Sequence, residues 1–238
     1  MNKDVREYYE KKGWMVNNKG QFLDTLVNEN LQSAVGRYNT KTRQRVLLEL
    51  MNQPGCGYGK ILDCASGPIQ YPEYIEYSSA YQSRYCIDFS KDALDHAKAN
   101  LIQASQNSCE FILNDFFEEP FPLNFFDSAI SLHTLYHIDK DRQEDFVRKL
   151  IDCVKPGMKL IVVYSNPFSL RAILAMPFYF CIKVARFFKR RVFRVKNNNP
   201  FVYFERHPLV WWKRFSDIGS VEIKSYRFLT AVVEKRLI

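Results

Sequence analysis

Lys60-Ile61-Leu62-Asp63-Cys64-Ala65-Ser66-Gly67-Pro68 is the stretch whose reading decides the fold. A short apolar run ends in an acid and breaks into a turn of small residues. A buried parallel strand reads this way when it stops at a ligand. A second run, Arg84-Tyr85-Cys86-Ile87-Asp88, also ends in an acid, 21 positions beyond Gly67. In doubly wound folds an acid about 20 residues past the glycine turn accepts the ribose hydroxyls of a bound nucleoside.

Outward from this pair, 60–164 alternates between strand and helix. Strands are predicted at 60–65, 83–88, 108–113, 125–132 and 158–164. Helices are predicted at 91–103 and 141–154. Ser90 suits the N-cap of the first, with Ala93, Leu94, Ala97 and Leu101 on one stripe. Phe146, Leu150 and Val154 make the second amphipathic, and Lys155-Pro156-Gly157 ends it. Such alternation predicts a three-layer α/β fold, a doubly wound and mostly parallel sheet with helices on both faces. Ligands then bind beyond the carboxyl ends of the strands.

Before the first strand, residues 1–55 read as helical. Val5, Tyr8, Tyr9 and Lys12 share helical spacing up to Gly13, and Asn17-Asn18-Lys19-Gly20 reads as a turn. A longer helix fits Thr40–Met51, with Val46, Leu47 and Leu50 inward. These helices either cap a site or simply pack. Beyond the fifth strand, 165–200 interrupts the pattern. It holds eight basic residues and no acid, which leaves 26 basic against 26 acidic in the rest of the chain. Its longest uncharged piece, Ala172–Ile182, has eleven residues, where a membrane span needs about 20. Lys183, Arg186, Arg190 and Arg194 then form a basic stripe opposite Cys181, Val184, Phe188, Val192 and Val195. An interfacial helix reads this way, and so does a lid helix with a solvated basic face. A polyanion such as RNA is the third candidate, although no stacking module accompanies the stripe. Pro208 opens a helix to about Asp217, and Val221–Tyr226 alternates like a strand. Either Phe228–Val233 adds a closing strand beside the fifth, or the chain stops before it. The short remainder favours the second expectation, with an exposed apolar edge.

A chain of 238 residues with 47% hydrophobic content has ample material for one large domain. The first ten residues lack the apolar core of a secretory signal. Six scattered cysteines without metal spacing suggest reduced thiols in a cytosolic protein and argue against a metal site.

Taken together these residues resemble the class I S-adenosylmethionine-dependent methyltransferases, most closely the small-molecule, type 11-like branch. The resemblance is good over 60–165 and weak over 200–226. Asp63 keeps the acid of the family's first motif and Gly67 its middle glycine, while Ala65 and Ile69 replace the flanking glycines. Asp88, Asn114-Asp115-Phe116, Phe126-Asp127 and Lys155-Pro156-Gly157 fill further signature positions. The resemblance implies a methyltransferase domain over 56–238, carrying 165–200 as an insertion, behind an N-terminal helical cap over 1–55. It implies S-adenosylmethionine as cofactor, held by Asp63, Ala65, Ser66, Gly67, Asp88, Phe89, Asn114, Asp115, Phe116 and Leu132. Asp88 would take the ribose hydroxyls, Phe89 would lie against adenine, and Asp115 would accept from its amino group.

Pro68 to Tyr74 departs from the pattern, so Tyr71, Glu73 and Tyr74 either line the methionine end and substrate mouth or only start a helix. The fourth strand runs into Ser131-Leu132-His133-Thr134-Leu135-Tyr136-His137, the edge that faces the transferable methyl in this fold. A hydroxyl acceptor must lose a proton, so His133 and then His137 are candidate bases, with packing as the plainer role; Tyr136 is placed at the substrate. Ser165-Asn166-Pro167-Phe168 follows the fifth strand and not the fourth, which argues against an amino-methylating nucleic-acid enzyme, and G-x-G-x-x-G is missing for a dehydrogenase. The expected acceptor is a small molecule or a glycan or lipid intermediate, methylated at oxygen. Alternatives are a membrane-surface enzyme acting on a quinone-like or lipid-linked acceptor, with peripheral contact through 168–196, and a cofactor-binding protein without catalysis.

Overall fold

The computed structural model describes residues 3–18, 22, 34–53, 56–104, 108–165, 177, 203–225 and 228–235. Seven strands form one sheet in the order β3-β2-β1-β4-β5-β7-β6. They are β1 (Lys60–Cys64), β2 (Ser83–Asp88), β3 (Ser108–Leu113), β4 (Phe126–Leu132), β5 (Val154–Ser165), β6 (Gly219–Ser225) and β7 (Phe228–Lys235). The first five are parallel, and β7 lies antiparallel to both β5 and β6. The carboxyl ends of β1, β2, β3, β4 and β5 therefore share one edge, and the order reverses at β1, where a crevice opens.

The helices are α1 (Lys3–Tyr8), continued by a π-turn over Tyr9–Gly13, α2 (Ala34–Met51), α3 (Pro72–Glu76), α4 (Lys91–Gln103) and α5 (Gln143–Cys153). α4 starts where its cap predicts: Ser90 Oγ accepts from Ala93 N at 3.3 Å. Ala93, Leu94, Ala97 and Leu101 bury its stripe against Ile69 and Cys86. α5 buries Phe146, Val147, Leu150 and Ile151 against Leu62, Ala129, Leu160 and Val162. On the opposite face Val46 and Leu50 of α2 meet Ile61, Ile130, Ile161 and Val163. Alternate residues of one strand thus feed two separate cores, as a sheet covered on both faces requires. No described helix is long and apolar enough to cross a membrane.

The closing strand corrects one sequence expectation. β7 is present and sits between β5 and β6, with Val162 opposite Ala231 and Val221 opposite Val233. Few residues suffice because a short link between antiparallel neighbours needs no crossover helix. β5 also begins earlier than predicted, at Val154, which pairs with Phe126 before the register shifts. Gly157, at φ 78°, provides the left-handed residue that such an irregularity needs. The helix after Pro208 is a 3-10 helix, Leu209–Asp217, which buries Trp211, Trp212 and Phe215. The basic stripe of 183–194 and nearly all of 165–200 lie outside the described residues.

Candidate active site

The turn after β1 has the backbone of a glycine motif without most of its glycines. Ala65, Gly67 and Ile69 stand at φ 57°, 60° and 48°. Left-handed backbone costs a residue with a Cβ about 1–2 kcal/mol, so Ala65 and Ile69 are held there by their surroundings. Ala65 N and Ser66 N both donate to Ile87 O, at 2.8 and 3.3 Å. Ile69 is buried against α4, and Asn100 Nδ2 donates to the carbonyls of Pro68 at 3.0 Å and Ile69 at 3.3 Å.

Asp88, at the tip of β2, faces this turn. Its Oδ2 accepts from Gly67 N at 3.0 Å and its Oδ1 from Ser90 N at 2.9 Å. Burial pushes its carboxyl up to about 6, against the pull of the backbone N–H groups of Ser90, Gly67 and Phe89. A buried carboxylate with further lone pairs beside a tight turn is the donor set's complement for a vicinal diol.

A cleft runs from here across the strand tips. Cys64, Ala65, Ile87, Asp88, Phe89, Asn114, Asp115, Phe116, Phe117, Thr134, Ile138 and Phe146 line it. Five of the residues predicted to hold a cofactor beyond Asp88 are therefore gathered in one place: Ala65, Phe89, Asn114, Asp115 and Phe116. Asp115 closes an Asx turn, its Oδ1 accepting from Phe117 N at 3.0 Å. Asn114 is engaged locally, donating from Nδ2 to Glu119 at 2.9 Å and accepting from Asp115 N at 2.8 Å. Phe116 is buried edge-on to Phe146.

Asp63 does not join them. Its carboxylate pairs with Arg84, which is 1% exposed and also donates to Ser78 Oγ at 3.0 Å and to Tyr74 O. Burial raises the Asp63 carboxyl while the guanidinium pulls it down; with Nε and Nη2 both donating to Oδ2 the pair stays charged. Asp63 thus anchors the connection after the turn to β2. Leu132 packs against the α2 side of the sheet. Ser66 lies in the turn, with Oγ 3.5 Å from Gly67 O.

Tyr71, Glu73 and Tyr74 converge on a residue that local pattern does not reveal, Arg43 of α2. It is 4% exposed, donates from Nε to Glu73 at 3.2 Å and from Nη2 to Thr40 Oγ1 at 3.0 Å, and lies 3.9 Å from the Tyr71 ring centre. Trp14 was missed as well; it comes within 3.6 Å of where a Gly67 Cβ would stand and stacks on Tyr9. Arg6 reaches Asp115. None of the three belongs to a local motif; Arg43 lies 30 residues from Glu73, and Trp14 and Arg6 are further still from Gly67 and Asp115.

His133 follows β4 at φ 60° and donates its N–H to Val163 O at 3.0 Å. Burial, the positive charge of Arg43 and His137 push its imidazole down to about 4. His137 sits 2.8 Å from Tyr203 O through Nδ1. A carbonyl only accepts, so Nδ1 carries the proton and Nε2 the lone pair. Burial lowers its basicity, and the Tyr203 carbonyl opposes that. Tyr136 packs on Phe204 and His137, with ring centres 4.4 and 4.6 Å apart.

Residues 53–162 match the family of methyltransferase domains. No curated protein sequence is significantly similar to the chain. Among solved structures, it is similar to magnesium protoporphyrin IX methyltransferase of Synechocystis PCC 6803 with bound SAH, at 17% identity and TM-score 0.62, covering 97% of this chain and 98% of that one. PH0226 protein from Pyrococcus horikoshii OT3 gives 17% and 0.61, covering 97% and 99%. A SAM-dependent methyltransferase from Methanosarcina mazei gives 16% and 0.55, covering 76% and 94%. At such identities these structures speak to the fold, and the sequence match speaks to the family. Over residues 53–162, a little under half of its length, the chain is thus similar to a methyltransferase domain, and its fold is one that S-adenosylmethionine-dependent methyltransferases share.

Proposed function

We propose that the protein moves the methyl group of S-adenosylmethionine to an oxygen of a small-molecule, glycan or lipid-intermediate acceptor. The carrying observation is the cleft in which Asp88, turned onto Gly67, and Asp115 stand at neighbouring strand tips with Phe89 and Phe116. Asp88 would accept from the ribose hydroxyls and Asp115 from the adenine amino group, with Phe89 against the base. The cofactor supplies a methyl carbon already activated by a sulfonium charge. The chain's task is then to align an acceptor in line with that carbon and exclude water.

His133 and His137 follow β4, on the side of the cleft where the acceptor would enter. Neutral above about pH 5, His133 can accept a hydrogen bond from an acceptor hydroxyl, although so weak a base does not hold a proton at neutral pH. His137 presents an oriented Nε2 lone pair and is the better placed to take the proton. The N-terminal residues and the segment 165–200 would wall the acceptor pocket. In support, β5, after which the segment follows in sequence, ends at Ser165 on the carboxyl edge of the sheet, and Tyr9 packs edge-on to His137.

The test pairs titration of S-adenosylhomocysteine with labelled methyl transfer to an acceptor panel. Replacing 168–196 by a short linker should abolish turnover and leave nucleoside affinity within about threefold. Loss of nucleoside binding in that variant would refute the division between a cofactor sheet and an acceptor wall.

A further inference from the structure

Arg6 of α1 sets one guanidinium against both groups that the reading above gives to adenine. Its Nη2 lies 3.7 Å from Asp115 Oδ2, and its Cζ lies 5.3 Å from the centre of the Phe89 ring. A second carboxylate steadies it, Glu10 Oε1 standing 3.7 Å from Nε. An adenine ring slid between Arg6 and Phe89 needs a contact distance on each face, about 7 Å in all. The gap of 5.3 Å does not admit it. A guanidinium also resembles the amino edge of adenine, being flat, delocalised and a donor in its own plane. The two therefore exclude one another at the same acceptor and the same ring face.

The rest of the segment is seated alongside. Trp14 lies over Gly67, and Tyr9 stacks on Trp14 at 5.0 Å between ring centres and meets His137 at 6.1 Å. The three side chains thus touch the base end, the turn and the acceptor side from one short stretch of chain.

We propose that Arg6 is an affinity-determining residue of the cofactor site, acting by competition with adenine for Asp115 and Phe89, so that nucleoside binding requires α1 to carry this guanidinium aside. The proposal rests on the assignment of Asp115 and Phe89 to adenine. One partly exposed ion pair and one cation–ring contact must break, which sets the gain on removing Arg6 at about fivefold in affinity.

The experiment is calorimetric titration of S-adenosylhomocysteine into the full chain, the Arg6→Gln and Arg6→Lys variants, and Asp88→Ala as a control of the site. Arg6→Gln should bind about fivefold tighter than the parent. Arg6→Lys keeps the charge and loses the flat contact with Phe89, and should fall between. Binding in the parent should also change Trp14 emission, a change lost in Trp14→Phe. Arg6 variants that bind no tighter than the parent overturn the proposal while the site stands, provided that Asp88→Ala abolishes binding. If neither the parent nor Arg6→Gln binds, the assignment of the cleft fails and the proposal falls with it.

Discussion

Cofactor affinity should titrate with Asp88. Its carboxyl is pushed up to about 6 because burial outweighs the backbone N–H groups donating to it. Ribose hydroxyls donate best to the ionised form, so binding favours that form and lowers its pKa. The sign follows: affinity is full above about pH 7 and falls as pH drops through about 6, by roughly tenfold per unit further down. At about pH 5 the dissociation constant of S-adenosylhomocysteine should be about ten times its value at pH 8. Asp88→Ala removes two charge-assisted hydrogen bonds of about 1.5 kcal/mol or more each, so affinity should fall at least a hundredfold. Asp88→Asn should be weak at every pH and show no titration near 6. Isothermal titration across that pH range measures all three proteins. A flat profile for the parent, or Asp88→Ala within threefold of it, would refute the reasoning.

Other perturbations separate scaffold from site. Asp63→Asn leaves the Arg84 guanidinium buried without its anion, at a cost of about 3–5 kcal/mol and a melting point about 10 °C lower by calorimetry. A drop under 2 °C would show that Ser78 and the Tyr74 carbonyl suffice. Gly67→Ala meets Trp14 only at ordinary contact, 3.6 Å, so its cost is the backbone alone, about 1 kcal/mol in urea denaturation. A loss of several kcal/mol would mean that the turn cannot absorb a Cβ. Vesicle flotation tests the alternative reading of the basic stripe: on that reading the parent floats with anionic lipid and joint replacement of Lys183, Arg186, Arg190 and Arg194 by Gln abolishes it, whereas a parent that does not float refutes the membrane-surface alternative.

Most of the parallel part of the sheet was legible because β1, β2 and β4 are largely buried and so read as mainly apolar runs closed by an acid or a turn. Ser90 and the α4 stripe placed that helix to the residue. The candidate cleft was legible where chemistry sits at a strand tip, as with Asp88 and Asp115. At Asp63 the sequence left the partner open, since a strand-end acid looks the same whether it faces a ligand or a buried cation, and the structure sets it against Arg84. Arg84 was the missed clue: a charge inside an otherwise apolar strand has to find an anion. The edge beyond β5 was misjudged because antiparallel neighbours need so little connecting chain. Arg6, Trp14 and Arg43 left no local signature, since long-range packing alone sets them against Asp115, Gly67 and Glu73.

The position of β7 bears on how the molecule is completed. Two-thirds of the sheet is assembled from consecutive strands, yet the piece that joins β5 to β6 is made after both. A nascent chain that has reached Ser225 therefore presents two raw flanks, one of them the Leu160–Tyr164 run, with nothing yet to lie between them. Synthesis stalled or clipped at that point would yield a sticky intermediate, whereas the eight residues of β7 seal both flanks in one stroke.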